Sequence, residues 1–406
     1  MKVCVVCNNL GKGGAERVGV TLANGFAQKG HNAIIISDIN KEANYPINPK
    51  VQILPLFIKK EGKFQKWLKS IKNVRKYARQ EKPDVIIGIM EICTFISYLA
   101  TLGLNNPVIM TEHNSFERPA SAPMSFRKKL FKFWINKLYK HITVLTQADK
   151  QYIGNRLKNI EVMPNPLFLK PVKEIPSKEK TVLAAGRVDD WHYKGFDVLI
   201  KSWKKIQDFN DNVNDDDNLR DWWLKIAGAG NANSLDYLKS LLIDADWLQT
   251  EGGWKSEKYH IEFLGFQKDM ESLYKKSEIF VLSSRYEGFG LVLIEAMSQG
   301  CAPIACDFKG RQREILYPKG VSSSKFIRHD SSASSQDSVF EVCENGILCE
   351  PDNVDELADA IQKMLIDNDY RKTCQQKAIE RSKFYSLDNI ISRWEDLLKN
   401  IIVKNV

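Results

Sequence analysis

The chain alternates short apolar runs with longer segments in which apolar residues recur at helical spacing. Short apolar runs bounded by turn residues predict buried strands, and the segments between them predict helices. In the first half, strands are expected at 2–7, 33–37, 84–89, 107–111, 141–145 and 160–163. Helices are expected at 14–29, 64–81, 92–102, 125–139 and 147–156. This alternation is typical of a parallel sheet covered by helices.

The second half repeats the pattern. Strands are expected at 180–185, 222–227, 260–264, 278–282, 302–305 and 346–349. Helices are expected at 195–207, 234–245, 268–276, 290–299, 353–366, 368–384 and 386–402. Prolines between residues 164 and 176 mark a linker, so the chain is predicted to be α/β with one parallel-sheet domain at 1–170 and another at 171–385.

Three polar stretches at 208–220, 247–258 and 319–342 are interpreted as inserted surface loops. The first contains Asp215-Asp216-Asp217, and an Asp-x-Asp motif can hold a metal where it follows a buried strand. Here it lies in an Asn-rich loop, so we interpret it as solvated. No cluster of His, Cys and carboxylates indicates a metal site, and none is predicted.

The 406 residues contain no run of about eighteen apolar positions, so no transmembrane helix is predicted. The first nine residues resemble a strand rather than a signal peptide, and a cytoplasmic protein is expected. The eight cysteines are scattered in apolar contexts. Cys4-x-x-Cys7 could be half of a redox or zinc site, but a strand would place the two on opposite faces.

Charge is uneven along the chain. Residues 1–170 carry 27 Lys and Arg against 11 Asp and Glu, a net +16, whereas the remainder has a net charge of −7. Much of the excess lies on two predicted basic helices, 64–79 and 126–140. We expect the apolar stripe of the second to pack inward and both basic faces to contact an anionic membrane. Nucleic acid is the other anionic polymer, but no binding motif accompanies the charge, so it is not predicted as a partner.

The run Ser283–Glu295 connects an apolar strand, through a Gly-rich turn, to a helix that opens near Gly290. Free N–H groups at a helix N-terminus bind anions. Glu287 and Glu295 flank that position with carboxylates that can hold hydroxyls. An anion with neighbouring hydroxyls is what a nucleotide-sugar presents.

Arg187 and Lys194 lie between another apolar strand and the next predicted helix. Two cations there suit the charge that develops on a leaving diphosphate, although two surface residues at a turn would look the same. A third turn, Gly11-x-Gly13-Gly14, follows the first strand. With Asp38 after the second strand, it also fits a dinucleotide-binding dehydrogenase.

These segments resemble the retaining glycosyltransferases of the family-4 type, which have the GT-B fold. The resemblance covers nearly the whole chain, in the family's order. It rests on the Glu287-x7-Glu295 motif and on five further blocks: 13–17 (Gly-Gly-Ala-Glu-Arg), 111–114 (Thr-Glu-His-Asn), 164–166 (Pro-Asn-Pro), 186–187 with 194–195, and 300–314. It implies two Rossmann-like domains facing across a cleft, with the last helix, about 386–406, crossing back onto the first domain.

The resemblance also implies roles for individual residues. Catalytic roles fall to His113, Arg187, Lys194 and Glu287. The nucleotide-sugar site comprises Gly13, Gly14, Arg187, Lys194, Phe266, Glu287, Gly288, Phe289, Gly290, Leu291 and Glu295, with Glu295 on the ribose hydroxyls. Glu16 and Asn165 are expected near the acceptor and the cleft. No metal and no cofactor beyond the donor is expected.

The implied activity is transfer of a hexose or N-acetylhexosamine from a UDP-sugar, with retention, to a lipid-linked glycan in surface polysaccharide assembly. The protein would then work at the cytoplasmic face of a bacterial inner membrane. Two alternatives remain open at this point. One is a UDP-sugar epimerase of the same fold, which needs no acceptor. The other is a non-catalytic protein that binds glycan or membrane.

Overall fold

The computed structural model describes residues 1–11, 13–40, 43–57, 62–119, 123–212, 219–317, 323–328 and 338–403. The chain divides into two compact units. Unit 1 comprises Met1–Phe168 and Tyr385–Val406, and unit 2 comprises Leu169–Phe384. Each has a sheet covered by helices. In the described residues, no helix is both long and apolar enough to cross a bilayer.

Unit 1 contains a parallel sheet of seven strands in the order β3-β2-β1-β4-β5-β6-β7. Its strands are β1 (Lys2–Asn9), β2 (Asn32–Asp38), β3 (Gln52–Pro55), β4 (Val85–Ile89), β5 (Val108–Thr111), β6 (His141–Val144) and β7 (Ile160–Val162). Its first helices are α1 (Gly14–Gln28), α2 (Lys63–Glu81), α3 (Met90–Thr101), α4 (Phe126–Phe133) and α5 (Gln147–Ile153). The central strands are buried on both faces, as continuous apolar runs such as Ile34–Ile36 require.

Unit 2 contains a ten-stranded sheet in the order β10-β11-β12-β9-β8-β13-β14-β17-β16-β15. Its strands are β8 (Glu179–Ala185), β9 (Trp223–Ala227), β10 (Leu248–Gln249), β11 (Trp254–Ser256), β12 (Ile261–Gly265), β13 (Ser277–Leu282), β14 (Ala302–Cys306), β15 (Ser323–Arg328), β16 (Ser338–Cys343) and β17 (Gly346–Cys349). Its helices are α6 (Trp191–Lys194), α7 (Phe196–Asn212), α8 (Ala232–Ser240), α9 (Met270–Lys276), α10 (Leu291–Ser298), α11 (Arg311–Leu316), α12 (Val354–Ile366) and α13 (Asn368–Ser382).

The last helix, α14 (Leu387–Val403), belongs to unit 1 and packs on α1. A Cβ atom on Gly25 would lie 2.5 Å from the Ile391 side chain, so the two helices approach closely only because α1 has a glycine there. Trp394 is buried, and His31 is 2.6 Å from Glu395. The predicted return of the final helix to the first sheet is confirmed.

Two of the three predicted surface loops are wrong. The stretch 247–258 contains β10 and β11, which pair antiparallel and extend the sheet beyond β12. The stretch 319–342 contains β15 and most of β16, which form an antiparallel edge beyond β17. In the stretch 208–220, α7 continues to Asn212 and a 3-10 helix spans Leu219–Asp221. Asp215–Asp217 lie outside the described residues.

Both sheets have the Rossmann strand order, 3-2-1-4-5-6, in their parallel part. The chain first adds strands on one side of the starting strand and then crosses to the other side. The switch lies between β1 and β4 in unit 1 and between β8 and β13 in unit 2. Ligands of such sheets bind beyond the carboxyl ends of the strands at this point, which identifies the loops to consider.

Candidate functional site

Two loops meet at the switch point of unit 2. One follows β8 and contains Arg187, a 3-10 helix at Val188–Asp190, and α6. The other follows β13 and runs to α10. Ser283 Oγ donates to Lys194 O at 2.8 Å, and the Arg285 N–H donates to Tyr193 O at 2.9 Å. The strand and the helix predicted on either side of Arg187 and Lys194 are therefore β8 and α7. The structure adds the short helix α6 between them.

Gly195 permits this close contact. It has φ +65°, and a Cβ atom there would lie 2.0 Å from Ser283 O. A side chain at this position would both strain the backbone and separate the two loops.

Lys194 and Glu287, predicted independently to act on a donor, form an ion pair. Glu287 also accepts a hydrogen bond from Ser284 Oγ at 3.1 Å. Both charged side chains are largely buried, so their attraction is screened less than that of a surface pair. Arg187 differs, because its side chain is 80% exposed and pairs with Asp190 at 2.5 Å.

Arg285 holds the two loops together, and sequence reasoning gave it no role. Its guanidinium donates to both carboxylate oxygens of Asp197, at 2.6 and 2.8 Å, and to His192 O at 2.6 Å. It also pairs with Asp352. A planar bidentate fork of this kind fixes orientation as well as charge. The only sequence signals for this role were an Arg inside the run 283–295 and an Asp at the start of α7.

Glu295 lies within α10 and is 2% exposed. The hydroxyl of buried Tyr274 donates to its carboxylate at 3.3 Å. Gly290 precedes the helix with φ +91°, and the Phe289 side chain is buried. The helix α10 therefore begins beside Gly290 as predicted. The donor contacts expected of Gly288, Phe289, Gly290 and Leu291, and the ribose contact of Glu295, stay predictions.

Phe266 directly follows β12, and its side chain is half-exposed. Glycines end or follow β8, β9 and β12, and the backbones there approach one another. A Cβ atom on Gly228 would lie 1.7 Å from Gly186 O. This approach brings the carboxyl ends of the three strands together, so Phe266 lies at the edge of the sheet that carries Arg187. Its contact with a nucleotide stays a prediction.

In unit 1, the loop after β1 leads into α1 at the β1/β4 switch point. Gly13 precedes the helix and Gly14 begins it. Glu16, in the first turn, lies close to the position that a Gly13 side chain would occupy, and one carboxylate oxygen is 3.5 Å from Asn9 Nδ2. Gly13 has extended backbone with φ 171°, so backbone conformation alone does not demand glycine there.

His113 follows β5 and contacts Asn165, which was expected near the acceptor and the cleft. Its Nδ1 lies 2.9 Å from Asn165 Oδ1, and its Nε2 lies 3.0 Å from Thr111 Oγ1. Thr111 Oγ1 is also 2.9 Å from Gly88 O. The structure thus brings His113 and Asn165 together within unit 1.

These contacts constrain the protonation of His113. Burial lowers its pKa, although Asn165 and Glu112 oppose the shift, so the neutral ring is favoured. A neutral ring has one N–H. Because the Thr111 hydroxyl donates its proton to Gly88 O, the His113 Nε2–H donates to Thr111 Oγ1, and Nδ1 accepts from the Asn165 amide once that amide is flipped to present its nitrogen. His113 is therefore better suited to a polar contact than to acting as a cation at neutral pH.

The segment that carries His113 is attached to α4 by a buried ion pair. Lys132 Nζ lies 3.0 Å from Glu112 and donates to Ser115 O at 3.1 Å. Glu112 also accepts from the Asn114 N–H at 2.9 Å. Lys132 is one of the basic residues of helix 126–140, whose basic face was expected to contact a membrane, but its side chain is buried because it pairs with Glu112.

Among the described residues, no group of three or more His, Cys, Asp or Glu side chains is placed to hold a metal ion. All eight cysteines are buried and unbridged. Burial raises the pKa of Cys7 to about 12, so its thiol stays protonated.

Comparison with known proteins agrees with this geometry. Residues 168–381 match the family model described as glycosyl transferases group 1, and residues 12–169 match that of Glycosyltransferase Family 4. The chain belongs to this family of GT-B glycosyltransferases.

Two relatives span almost the whole chain. An uncharacterized glycosyltransferase of Haemophilus influenzae is 27% identical, covering 96% of this chain and 98% of the relative. The second relative, from Campylobacter jejuni, is 25% identical and covers 99% of each chain. It is named GalNAc-alpha-(1->4)-GalNAc-alpha-(1->3)-diNAcBac-PP-undecaprenol alpha-1,4-N-acetyl-D-galactosaminyltransferase.

Among solved structures, Anabaena Alr3699/HepE in complex with UDP-glucose has a TM-score of 0.68 at 16% identity. The match covers 98% of this chain and 100% of that one. At this identity the likeness establishes the shared fold.

Proposed function

We infer that this glycosyltransferase moves a hexose or N-acetylhexosamine from a UDP-sugar to a hydroxyl of a lipid-linked glycan, with retention and without a metal. The observation that carries the inference is the pairing of Lys194 with Glu287 at the switch point of unit 2. A cation suited to binding phosphate is therefore in direct contact with a carboxylate suited to binding sugar hydroxyls.

The proposed chemistry follows from charge. Breaking the bond between sugar and diphosphate places negative charge on the leaving oxygen. Arg187 and Lys194 stabilise that charge more in the transition state than in the ground state, which accelerates the reaction. Glu295 holds the ribose, and neutral His113 contacts the reacting sugar. Retention arises by front-face attack, in which the leaving phosphate accepts the proton of the incoming hydroxyl.

The names of similar proteins support the substrate classes. The Campylobacter relative is named as acting on a glycan attached to PP-undecaprenol, and the HepE crystal contains UDP-glucose. A lipid-linked acceptor also suits the net charge of residues 1–170, because membranes that carry such lipids are anionic. We therefore place the protein at the cytoplasmic face of a bacterial inner membrane, in surface-glycan assembly.

The test is calorimetric titration with UDP-, GDP- and ADP-sugars in the presence of EDTA, followed by assays of slow hydrolysis. We expect one UDP-sugar to bind and Lys194→Ala to lower turnover by about 100-fold or more. Lys201→Ala, an exposed lysine on α7, is the matched control and should leave turnover unchanged.

Two results would contradict the proposal. If Lys194→Ala turns over normally, the phosphate assignment is wrong. If the purified protein interconverts two UDP-sugars without an acceptor, it is an epimerase. The anomer released at early times, followed by proton NMR, tests retention directly.

A further inference from the structure

A line of exposed apolar side chains runs along α4 and the 3-10 helix that follows it, Ile135–Leu138. Phe126 is 80% exposed, Trp134 67%, and Leu130 and Leu138 more than 40%. They recur every fourth residue, so they share one side of the segment. The expected inward-facing stripe is therefore partly wrong, because Leu130, Trp134 and Leu138 face solvent, whereas Phe131 and Ile135 are partly buried.

The neighbouring helices add to this surface. On α2, Phe64 and Leu68 are exposed, and on α3, Ile92 is exposed. Ring contacts join the inner sides of the three helices, from Trp67 to Phe95 at 6.3 Å and from Phe95 to Phe131 at 5.8 Å. Apolar side chains that are adjacent, rather than scattered, indicate an interaction surface.

The charge around these side chains is of one sign. Residues 126–140 contain no Asp or Glu, and 63–81 contain only Glu81. The exposed basic residues on the two helices are Lys69, Lys72, Lys76, Arg79, Arg127, Lys128, Lys129, Lys137 and Lys140. A partner that matches this surface must therefore have an anionic exterior with an apolar layer beneath it. A bilayer leaflet with anionic headgroups has both properties.

We propose that Phe126, Leu130, Trp134 and Leu138, with Phe64 and Leu68, insert into the headgroup region of an anionic bilayer. The basic side chains beside them bind the lipid phosphates. This extends the proposed membrane contact from surface charge to insertion. It rests on the proposed function only for the identity of the acceptor.

The buried Lys132–Glu112 pair gives this surface a consequence for the reaction. It attaches the inserting helix to the segment that carries His113, with the Phe116 ring 4.4 Å from Lys132 Nζ. Since these contacts lie inside unit 1, His113 keeps a fixed distance from the bilayer. An acceptor hydroxyl on a membrane lipid would then be presented at a constant depth.

The experiment is flotation of the full chain with vesicles of phosphatidylcholine alone or with 30 mol% (about one lipid in three) phosphatidylglycerol. We expect binding to the anionic vesicles only, and a loss of about tenfold or more for the double variant Phe126→Ser/Trp134→Ser. Ile243→Ser is the matched control, because Ile243 is 90% exposed in unit 2. It should bind as the wild type does.

Several outcomes would overturn the proposal. Equal binding by the double variant, lost at high salt, would mean that charge alone attaches the protein. A concentration-dependent dimer that the double variant abolishes, without vesicle binding, would mean that a second copy covers the surface. If the wild type neither binds vesicles nor forms a dimer, the surface does not bind a bilayer and the proposal is wrong. Donor titration of the wild type, run in parallel, tests the proposed function separately, since vesicle binding does not require a donor.

Discussion

Arg285 provides a direct test of how the two loops at the switch point of unit 2 are held together. Its bidentate contacts with Asp197, at 2.6 and 2.8 Å, join the loop after β13 to the start of α7. The side chains of the two residues are 12% and 9% exposed, so the pair is nearly excluded from water. Replacing Arg285 by Ala leaves a buried carboxylate without its principal partner.

The expected cost follows from that burial. Breaking a fully buried pair costs about 3–5 kcal/mol, and an exposed pair contributes at most about 1 kcal/mol. The Arg285–Asp197 pair lies between these two cases and closer to the buried one, so we expect Arg285→Ala to destabilise unit 2 by about 2–3 kcal/mol. The contact with Asp352 adds little, because that side chain is 60% exposed.

Urea unfolding of the wild type, Arg285→Ala, Asp197→Asn and the double variant measures the coupling in a double-mutant cycle. The double variant should be less destabilised than the sum of the single variants. Titration of the donor should show weaker binding for Arg285→Ala, because the loops that carry Lys194 and Glu287 are no longer fixed relative to each other. Arg285→Lys, which keeps the charge but not the fork, should be intermediate. If Arg285→Ala unfolds and binds donor as the wild type does, the loops are held by their backbone contacts alone.

Three further perturbations test separate features. Gly195→Ala should abolish donor binding in the same titration, because its Cβ atom would lie 2.0 Å from a backbone oxygen; Gly30→Ala, with φ +82° and no atom within 4 Å, controls for backbone strain alone. Burial raises the pKa of Glu91 to about 7, so folding favours its protonated form and stability falls as pH rises from 4.5 through 7. Glu91→Gln should therefore raise the melting temperature at pH 8 but little at pH 5. Lys132→Met should lower the free energy of unfolding by about 3 kcal/mol, and adding Glu112→Gln should recover part of that loss, whereas a loss below 1 kcal/mol would contradict the buried pair.

The parallel parts of both sheets were predictable because most of their strands are buried on both faces; the edge strand β3, which is partly exposed, was missed. A continuous apolar run such as Val85–Ile89 has few other stable environments, and the helices between such runs show helical spacing. The final helix was predictable for a related reason. Its apolar residues, including Trp394 and Leu398, recur at helical spacing and require a partner.

The edge strands were not predictable from their composition. β10 has only two residues, both exposed, and β11 has only three, so neither has an apolar run or a full alternation. What makes them strands is pairing with β12, which residues distant in sequence provide. The same holds for β15 and β16, which lie on either side of a Ser-rich stretch whose composition is typical of loops. There, pairing of β16 with the edge of β17, and of β15 with β16, outweighs the loop propensity of the sequence.

The candidate site shows the same division. Lys194 and Glu287 could be nominated because each lies in a short motif after an apolar strand. Arg285, Tyr274 and Lys132 could not, since their roles depend on partners 20 to 88 residues away: Asp197, Glu295 and Glu112, respectively. A basic residue in a basic helix gives no sign that one acid elsewhere will draw it into the core.

If Lys194 and Glu287 bind the donor as proposed, their ion pair has a consequence for donor binding. A cation whose charge is already balanced attracts a phosphate less than an unpaired one, so donor binding has to exchange one partner for another. The exchange is favourable only if Glu287 gains hydrogen bonds of its own, and sugar hydroxyls supply them. UDP without its sugar would take Lys194 and leave Glu287 largely buried with fewer partners. The proposed assignment therefore predicts that the complete nucleotide-sugar binds more tightly than the nucleotide alone.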